Sequence, residues 1–391
     1  MARSVFSVVS DPALLTEIRK YGKFDSAACY QCGSCTISCE LVSGSSPSFP
    51  RKSIRYALLG LRGSLLANLE PWICEDCGDC SIACPRQAEP RISMATLRRF
   101  LAAEYDWTGM ASKLLTSRGW YLGSLLFIGL LTVLLILGYH LWYVGLTFSQ
   151  LTTPLGIEHV FPLMTYYTLT VILLPVLLLL SRVYRIWRLT MGGEEQQKIP
   201  FFVYVREAWV YVKESATESL LHKCPEHHRW LGHFMLAGGT TIMLAIKVFG
   251  LRWFQTENIY PFYHPQRLLG YLASALILYG IGDILIGRLL ARREIYKETR
   301  FPDLVLPVLL LATVLSGLVA HVSRYLGFAL TCHFAYAVHV VIATPMLIVE
   351  MAFGKWAHMI YRPLALYFQA VKDRAEQQQP APAQEGVGYA V

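Results

Sequence analysis

After Trp120 the chain carries six stretches of 18 or more nearly uncharged residues, and these constrain its fold more than any other feature. They run approximately over Trp120–Leu146, Val160–Arg182, His228–Gly250, Leu268–Leu290, Pro302–Leu326 and Thr331–Trp356. Each is long enough to cross a hydrocarbon core of roughly 30 Å, which takes about 20 helical residues. An average of 54% hydrophobic and 16% charged residues is too apolar for an ordinary soluble protein, and the excess sits in this second part of the 391-residue chain. The loop after the first stretch has no Lys or Arg. The loop after the second holds Arg185, Arg188, Lys198, Arg206, Lys213, Lys223 and Arg229, and the loop after the fourth holds Arg292, Arg293, Lys297 and Arg300. Basic residues collect on the cytosolic side, so both chain ends are expected in the cytosol and the protein in the cytoplasmic membrane. The N-terminal Met-Ala-Arg-Ser-Val-Phe meets Asp11 and Glu17 without a long apolar core, so no signal peptide is expected. The net charge of +8 follows from the same membrane bias and does not call for a nucleic-acid partner.

Ahead of the apolar part, Cys29, Cys32, Cys35 and Cys39 follow the spacing C-x2-C-x2-C-x3-C. The spacing returns at Cys74, Cys77, Cys80 and Cys84, where Pro85 follows. Three closely spaced thiolates wrap one cubane, while the fourth points to a neighbouring cluster. Cys29, Cys32, Cys35 and Cys84 are therefore assigned to one [4Fe-4S] cluster, and Cys74, Cys77, Cys80 and Cys39 to a second. Zinc would favour separated C-x2-C pairs over four-cysteine runs. Glu40 stands where the first block would carry proline, without removing a ligand. Between the blocks, Arg51 to Leu69 reads as an amphipathic helix with Ile54, Leu58, Leu61 and Leu65 on one stripe, which predicts a helical dicluster domain. Arg51, Lys52, Arg55, Arg62, Arg86 and Arg91 form a basic rim suited either to solvent or to an acidic partner.

Ionisable groups at membrane depth are costly, and neutral imidazole is the common axial ligand of haem iron. His233, near the cytosolic start of the third stretch, and His358, just past the cytosolic end of the sixth, can meet at one level. His339 and His321 can meet nearer the outer side, with His140, Met243 or Lys247 as other partners for His339. His339 and His358 lie 19 residues apart, roughly 28 Å along a helix. That is one residue beyond five turns, so a π-bulge or a kink near Pro345 or Gly354 is needed to restore their facing. His159, His222, His227, His228, His264 and His333 read as interfacial or structural. Ile199 to Leu221 alternates aromatics with charges and is expected to lie along the cytosolic membrane surface.

The N-terminal half resembles the C subunit of heterodisulfide reductase, from Ala28-Cys29-Tyr30-Gln31-Cys32-Gly33-Ser34-Cys35 through Phe49-Pro50-Arg51-Lys52 and Leu58-Leu59-Gly60-Leu61. The helices are similar to the haem b subunit of respiratory nitrate reductase at Ala337-Val338-His339 and Lys355-Trp356-Ala357-His358. The fusion resembles the membrane subunit of quinone-interacting membrane-bound oxidoreductase complexes, also at Cys77-Gly78-Asp79-Cys80, Cys84-Pro85-Arg86 and Tyr105-Asp106-Trp107-Thr108-Gly109. That resemblance implies two b haems, a menaquinone site, flavoprotein partners similar to the reductase A subunit, and traffic with adenylylsulfate reductase. It supports the eight cysteines with His233, His339 and His358. In the nitrate reductase pattern a second histidine would follow His233 by about ten residues, where this chain has Met243.

The expected fold is thus all-α. A helical dicluster ferredoxin domain (1–115) precedes a six-helix membrane cytochrome b bundle (116–370), and a disordered tail (371–391) closes the chain. The expected role is electron transfer between quinol or quinone and cytosolic flavin and iron–sulfur partners. The rival expectations are a membrane subunit of the heterodisulfide reductase type and a non-catalytic anchor.

Overall fold

The structure, a computed structural model, describes residues 9–25, 27–42, 48–144, 157–192, 199–223, 227–254, 258–291, 296, 299 and 301–378. Among these, every regular element is helical. The N-terminal part folds as α1 (Leu14–Lys20), α2 (Ser34–Ile37), α3 (Arg51–Leu58), α4 (Arg62–Leu66), α5 (Glu70–Ile73), α6 (Asp79–Ile82), α7 (Pro90–Tyr105) and α8 (Met110–Thr116). Pro90 opens α7, a position where proline loses no hydrogen bond and its fixed φ suits the first turn. Along α7, Met94, Leu97, Leu101 and Tyr105 recur at helical spacing and are fully buried. Each such side chain contributes about 1.5–3 kcal/mol of burial. They meet Leu14 and Ile18 of α1, Ile54 and Ala57 of α3, Leu65 of α4 and Trp72 of α5.

The amphipathic segment expected over Arg51 to Leu69 is two helices, because Gly60 breaks it. Gly60 has φ 70°, and a Cβ there would stand 2.6 Å from the Asp11 carbonyl oxygen. Only glycine allows that close approach. Arg62 then ties the pieces together, donating to Asp11 at 2.9 Å and Glu104 at 3.1 Å and pairing with Glu17.

Among the described residues, six helices are each long and apolar enough to cross a membrane: Arg118–Trp142, Thr165–Met191, His227–Phe249, Pro265–Leu289, Asp303–Tyr325 and Ala329–Met351. Only 11% of the first window is buried within the protein, so most of that helix is left for lipid. The chain therefore reads as a multi-pass membrane protein. The lysine-free loop after the first span, and Arg292, Arg293, Lys297 and Arg300, lie outside the described residues. Between the second and third spans, the helix Phe201–Thr217 exposes Phe201, Phe202, Val205, Trp209 and Val212 along one face. That face suits a bilayer surface.

The last span departs from a simple helix. Ala329–Pro345 is α-helical, and Met346–Met351 forms a π turn. The chain then breaks at Gly354 and passes through a 3-10 turn, Lys355–Ala357, before a final helix, His358–Gln378. A π turn takes up one extra residue, the size of the mismatch between His339 and His358. The final helix leaves the membrane part: Tyr361, Leu364, Ala365, Phe368 and Val371 join the core built by α1, α3, α5 and α7. The seam expected at residue 115 is thus bridged by the C-terminal helix. Residues 371–378, expected as disordered tail, are helical because Val371 is fully buried in that core. Residues 379–391 lie outside the described residues.

A second bridge is ionic. Arg182, in the second span, is 2% exposed; it pairs with Asp106 at 2.9 Å and also donates to the Ala352 carbonyl beside the helix break. Burial works against the Asp106 carboxylate, but the Ala111 amide, Thr108 and Arg182 outweigh it and hold its pKa below the usual value. Arg182→Ala should cost about 3–5 kcal/mol by leaving Asp106 buried and unpaired. The expected readout is a lower unfolding midpoint of the detergent-solubilised chain, with the exposed Arg185→Ala unchanged as the control. Equal midpoints for the two variants would contradict the bridge.

Candidate functional site

The two cysteine runs fold into nearly superimposable loops. Gln31 and Asp76, each just before the second cysteine of its run, have φ 56° and 57°, while Gly33 and Gly78, just after it, have φ 91° and 105°. Each loop then opens a one-turn helix, α2 and α6, whose amides follow the third cysteine's turn. This local repetition comes from the repeated spacing, which forces the same sharp turn twice. Cys29, Cys32, Cys35 and Cys84 line one small cavity; Cys39, Cys74, Cys77 and Cys80 line another. Each fourth cysteine thus crosses to the other run's cavity. Among the described residues, no three His, Cys, Asp or Glu side chains converge on one point as a single metal ion requires. Thiols ringing a cavity suit a multi-atom cluster instead.

Donors aim at these sulfurs: the Asp76 amide at Cys74, the Ala88 amide at Cys84 and the Gln31 side-chain amide at Cys29, each at 3.4 Å. Such bonds stabilise thiolate sulfur and raise a cluster's potential. Burial pushes the Cys74 thiol up to about 11, and it also raises Cys35, Cys39 and Cys80. Free, these would hold their protons at neutral pH, so iron must displace protons to bind. Cys32 differs: it is exposed, and the Ser34 hydroxyl and amide lower its pKa. The first cavity therefore lies at the surface, near exposed Tyr30, Ile37 and Ile82, and the second lies deeper.

Below the second cavity a larger space of about 280 Å³ runs from Cys74, Glu75 and Asp76 to His233 and His358. The two imidazole rings stand 5.9 Å apart, one from the third span and one from the start of the final helix. His358 Nδ1 donates to the Lys355 carbonyl, and His233 Nδ1 is 2.8 Å from both Glu218 carboxylate oxygens. A carbonyl or carboxylate offers no proton, so each Nδ1 carries a hydrogen and these bonds leave each Nε2 available. Burial, and then His233, pulls the His358 pKa down to about 3, which holds it neutral as a ligand must be. Arg91, Arg98, Arg99, Arg229, Arg288, Arg362 and Lys355 line the same space with Glu75, Asp76, Asp303 and Glu350; several of these form ion pairs with one another, and the excess of cations suits carboxylate side arms such as haem propionates. The residues present fit a bis-histidine haem.

Three of these arginines hold the cluster loop. Arg229, four residues before His233, donates to the Glu75 carbonyl at 2.6 Å; Arg362, four residues after His358, pairs with the Glu75 carboxylate. Arg98 donates to the Cys74 carbonyl at 2.8 Å. Glu75 is 3% exposed. The helices that present the histidines therefore also grip the residue next to a cluster cysteine. Glu75, Arg229 and Arg362 were not singled out from sequence, although their four-residue offset from the histidines, one helical turn, was a readable signal.

Farther across the membrane a second space of about 390 Å³ is lined by both His339 and His321, with Met243, Lys247, Tyr271 and Trp356. His339 Nδ1 donates to the Thr313 carbonyl at 2.8 Å, again leaving Nε2 free. Gly317 permits this: a Cβ there would lie 3.2 Å from His339 Nδ1. The His321 Nε2 is engaged within the same lining, 2.9 Å from the Tyr271 hydroxyl. The segment Lys355–His358 separates the two spaces, with Trp356 facing the outer and His358 the inner. Of the other histidines, His140 sits in a π turn beside Tyr139, His264 stacks on Tyr260 at 4.1 Å, and His222 meets Trp230 edge-on at 4.7 Å. The His159 side chain lies outside the described residues.

Residues 28–89 match the family model described as a 4Fe-4S dicluster domain. A protein of Archaeoglobus profundus, named as similar to the C subunit of heterodisulfide reductase, is 39% identical over 77 residues, covering 20% of this chain and 41% of that protein. The C2 subunit of the H(2)/formate:CoB-CoM heterodisulfide,ferredoxin reductase of Methanococcus maripaludis is 41% identical over 76 residues, covering 19% of this chain and 40% of that protein. The iron-sulfur C subunit of the CoB–CoM heterodisulfide reductase of Methanopyrus kandleri is 35% identical over 88 residues, covering 22% and 44%. The chain thus spans about two-fifths of the length of these curated relatives. No solved structure matches the chain. The N-terminal part is accordingly a dicluster ferredoxin domain similar to the C subunit of heterodisulfide reductase, a domain for two [4Fe-4S] clusters.

Removing the Glu75 carboxylate should leave Arg362 buried with only Glu214, 3.5 Å away. Glu75→Ala is expected to lower stability by about 2–3 kcal/mol, read as a lower unfolding midpoint. An unchanged midpoint would show that the grip on this loop carries no energy.

Proposed function

We propose that this chain passes electrons between a quinone of the membrane, menaquinone by resemblance, and soluble flavin and iron–sulfur partners. The observation that carries the reading is one continuous space whose wall includes Cys74 at one end and His233 and His358 at the other. In this reading Cys29, Cys32, Cys35 and Cys84 ligate the surface cluster, and Cys39, Cys74, Cys77 and Cys80 the inner one. His233 and His358 hold a b-type haem beside the inner cluster. His339 holds a second haem in the outer space, with His321, Met243 or Lys247 as its partner. Bound clusters and haems take up and return one electron at a time, which lets a two-electron quinol serve a one-electron chain.

The protein's own residues do the rest. The cysteine loops fix ligand geometry, and the backbone carbonyls at Lys355 and Thr313 orient two imidazoles. Trp72, Tyr105 and Tyr361 pack with rings 5.0–6.5 Å apart, Tyr361 edge-on to the other two, and Trp72 and Tyr361 wall the inner site. The shared boundary at Lys355–His358 keeps the two spaces close without merging them. Exposed Cys32 and the surface cavity offer an exit for electrons on the side away from the spans. The basic loops and the cysteine domain are cytosolic in this reading, following the positive-inside bias.

The relatives named for heterodisulfide reductase suggest partners of that kind; a flavoprotein similar to its A subunit follows from the resemblance alone. The fusion of cysteine domain and membrane bundle, resembling quinone-interacting membrane-bound oxidoreductase, adds adenylylsulfate reductase as the soluble destination.

His358→Ala tests the reading at its centre. The variant should lose part of the b-type α-band in a reduced-minus-oxidised spectrum and no longer couple quinol oxidation to cluster reduction, with both clusters retained. A full α-band in the variant would refute the histidine pairing.

A further inference from the structure

Glu218 sits at an unusual backbone position. It follows the helix Phe201–Thr217 with φ 48° and ψ 44°, the left-handed conformation at a helix end that glycine ordinarily supplies. A glutamate there is strained, and such strain persists only where the surroundings enforce it. Here they do. The Glu218 amide donates to the Glu214 carbonyl at 2.9 Å, the His222 amide donates to the Glu218 carbonyl at 3.2 Å, and Trp230 Nε1 donates to the Thr217 carbonyl at 3.0 Å. Trp230 lies three residues before His233 on the same helix, so the turn is stapled beside the histidine it serves. The Glu214 carboxylate is occupied by the Ser219 hydroxyl at 2.7 Å, which leaves Glu218 to face His233.

Each of the three histidines with a free Nε2 has its Nδ1 bonded, but the partners differ. His358 and His339 donate to neutral backbone carbonyls, of Lys355 and Thr313. His233 donates to the carboxylate of Glu218, whose side chain is 13% exposed. An anionic partner draws the Nδ1 proton, enriches Nε2 in electron density and makes the imidazole a stronger donor to ferric iron. A neutral carbonyl does this far less.

We propose that Glu218 is a positioning residue that orients His233 and lowers the potential of the inner haem relative to the outer one. The inference rests on the haem reading above. It implies that the two haems differ in potential through one half-buried carboxylate, with the electron on the inner haem better matched to an iron–sulfur cluster.

The test uses the purified full chain in detergent, with the inner haem's band identified by its absence from His358→Ala. Glu218→Gln keeps the shape and an oxygen acceptor but removes the charge. It should retain the inner haem, titrate at a higher midpoint potential and show a shifted low-spin ferric EPR signal. Glu218→Gly relieves the backbone strain, so its unfolding midpoint and cluster signals should be undiminished while inner-haem retention falls at least about tenfold. An inner haem at full content and unchanged potential in both variants would overturn the proposal. So would joint loss of haem, clusters and folding in Glu218→Gln, which marks a structural role alone. Absence of any b-type α-band from the unmodified chain would overturn the haem reading itself, an outcome distinct from the other two.

Discussion

The grip on Glu75 is the contact on which the rest of the arrangement depends. Arg229 and Arg362 come from different membrane-associated helices, each one turn from a histidine, and both close on this residue beside Cys74. Without that grip the cysteine domain would still be joined to the bundle by its chain connection, the Arg182–Asp106 bridge and the final helix, but nothing would hold the loop beside Cys74 to the histidine helices. With it, the distance between a cluster loop and the histidine pair is set by one buried ion pair, Arg362 with Glu75, and by the bond from Arg229 to the Glu75 carbonyl; separating the ion pair would leave the Glu75 carboxylate buried without that partner. Electron transfer weakens steeply with separation, so a rigid contact at this point is what the proposed function needs.

The same logic recurs at two other pairs, one buried and one half-buried. Arg182 holds Asp106 and the Ala352 carbonyl, locking the start of the membrane part to the break that aims His358. Glu218 holds His233 from a turn at the membrane surface. Apolar packing alone supplies cohesion but little direction, whereas these charge-assisted bonds specify orientation. The final helix adds cohesion: Tyr361, Leu364, Phe368 and Val371 enter the core of the N-terminal part, so one hydrophobic core is built from both ends of the chain.

Much of this was readable from residues alone. The cysteine crossing follows from local spacing, because a tight loop can ring one cavity with three thiols and must send the fourth away. The six spans follow from hydropathy, a property of composition rather than of tertiary contacts. The facing of His233 and His358 was readable from depth, and the one-residue excess between His339 and His358 called for the π turn seen at Met346–Met351. The break at Gly60 was hidden because it depends on Asp11, far off in sequence. The pairing of Arg182 with Asp106 and the bond from Arg229 to the Glu75 carbonyl were hidden for the same reason, joining residues 76 and 154 positions apart. The role of the final helix was overlooked although Tyr361, Leu364, Phe368 and Val371 recur at helical spacing.

The central claim is that one chain joins a dicluster domain to a haem-bearing membrane bundle. The most direct measurement is a reduced-minus-oxidised optical spectrum of the purified full-length chain, taken beside its non-haem iron and acid-labile sulfide content. The expected result is a b-type α-band together with iron and sulfide for two [4Fe-4S] clusters. Full iron and sulfide with no α-band would contradict the claim and leave the histidine pair as a structural contact.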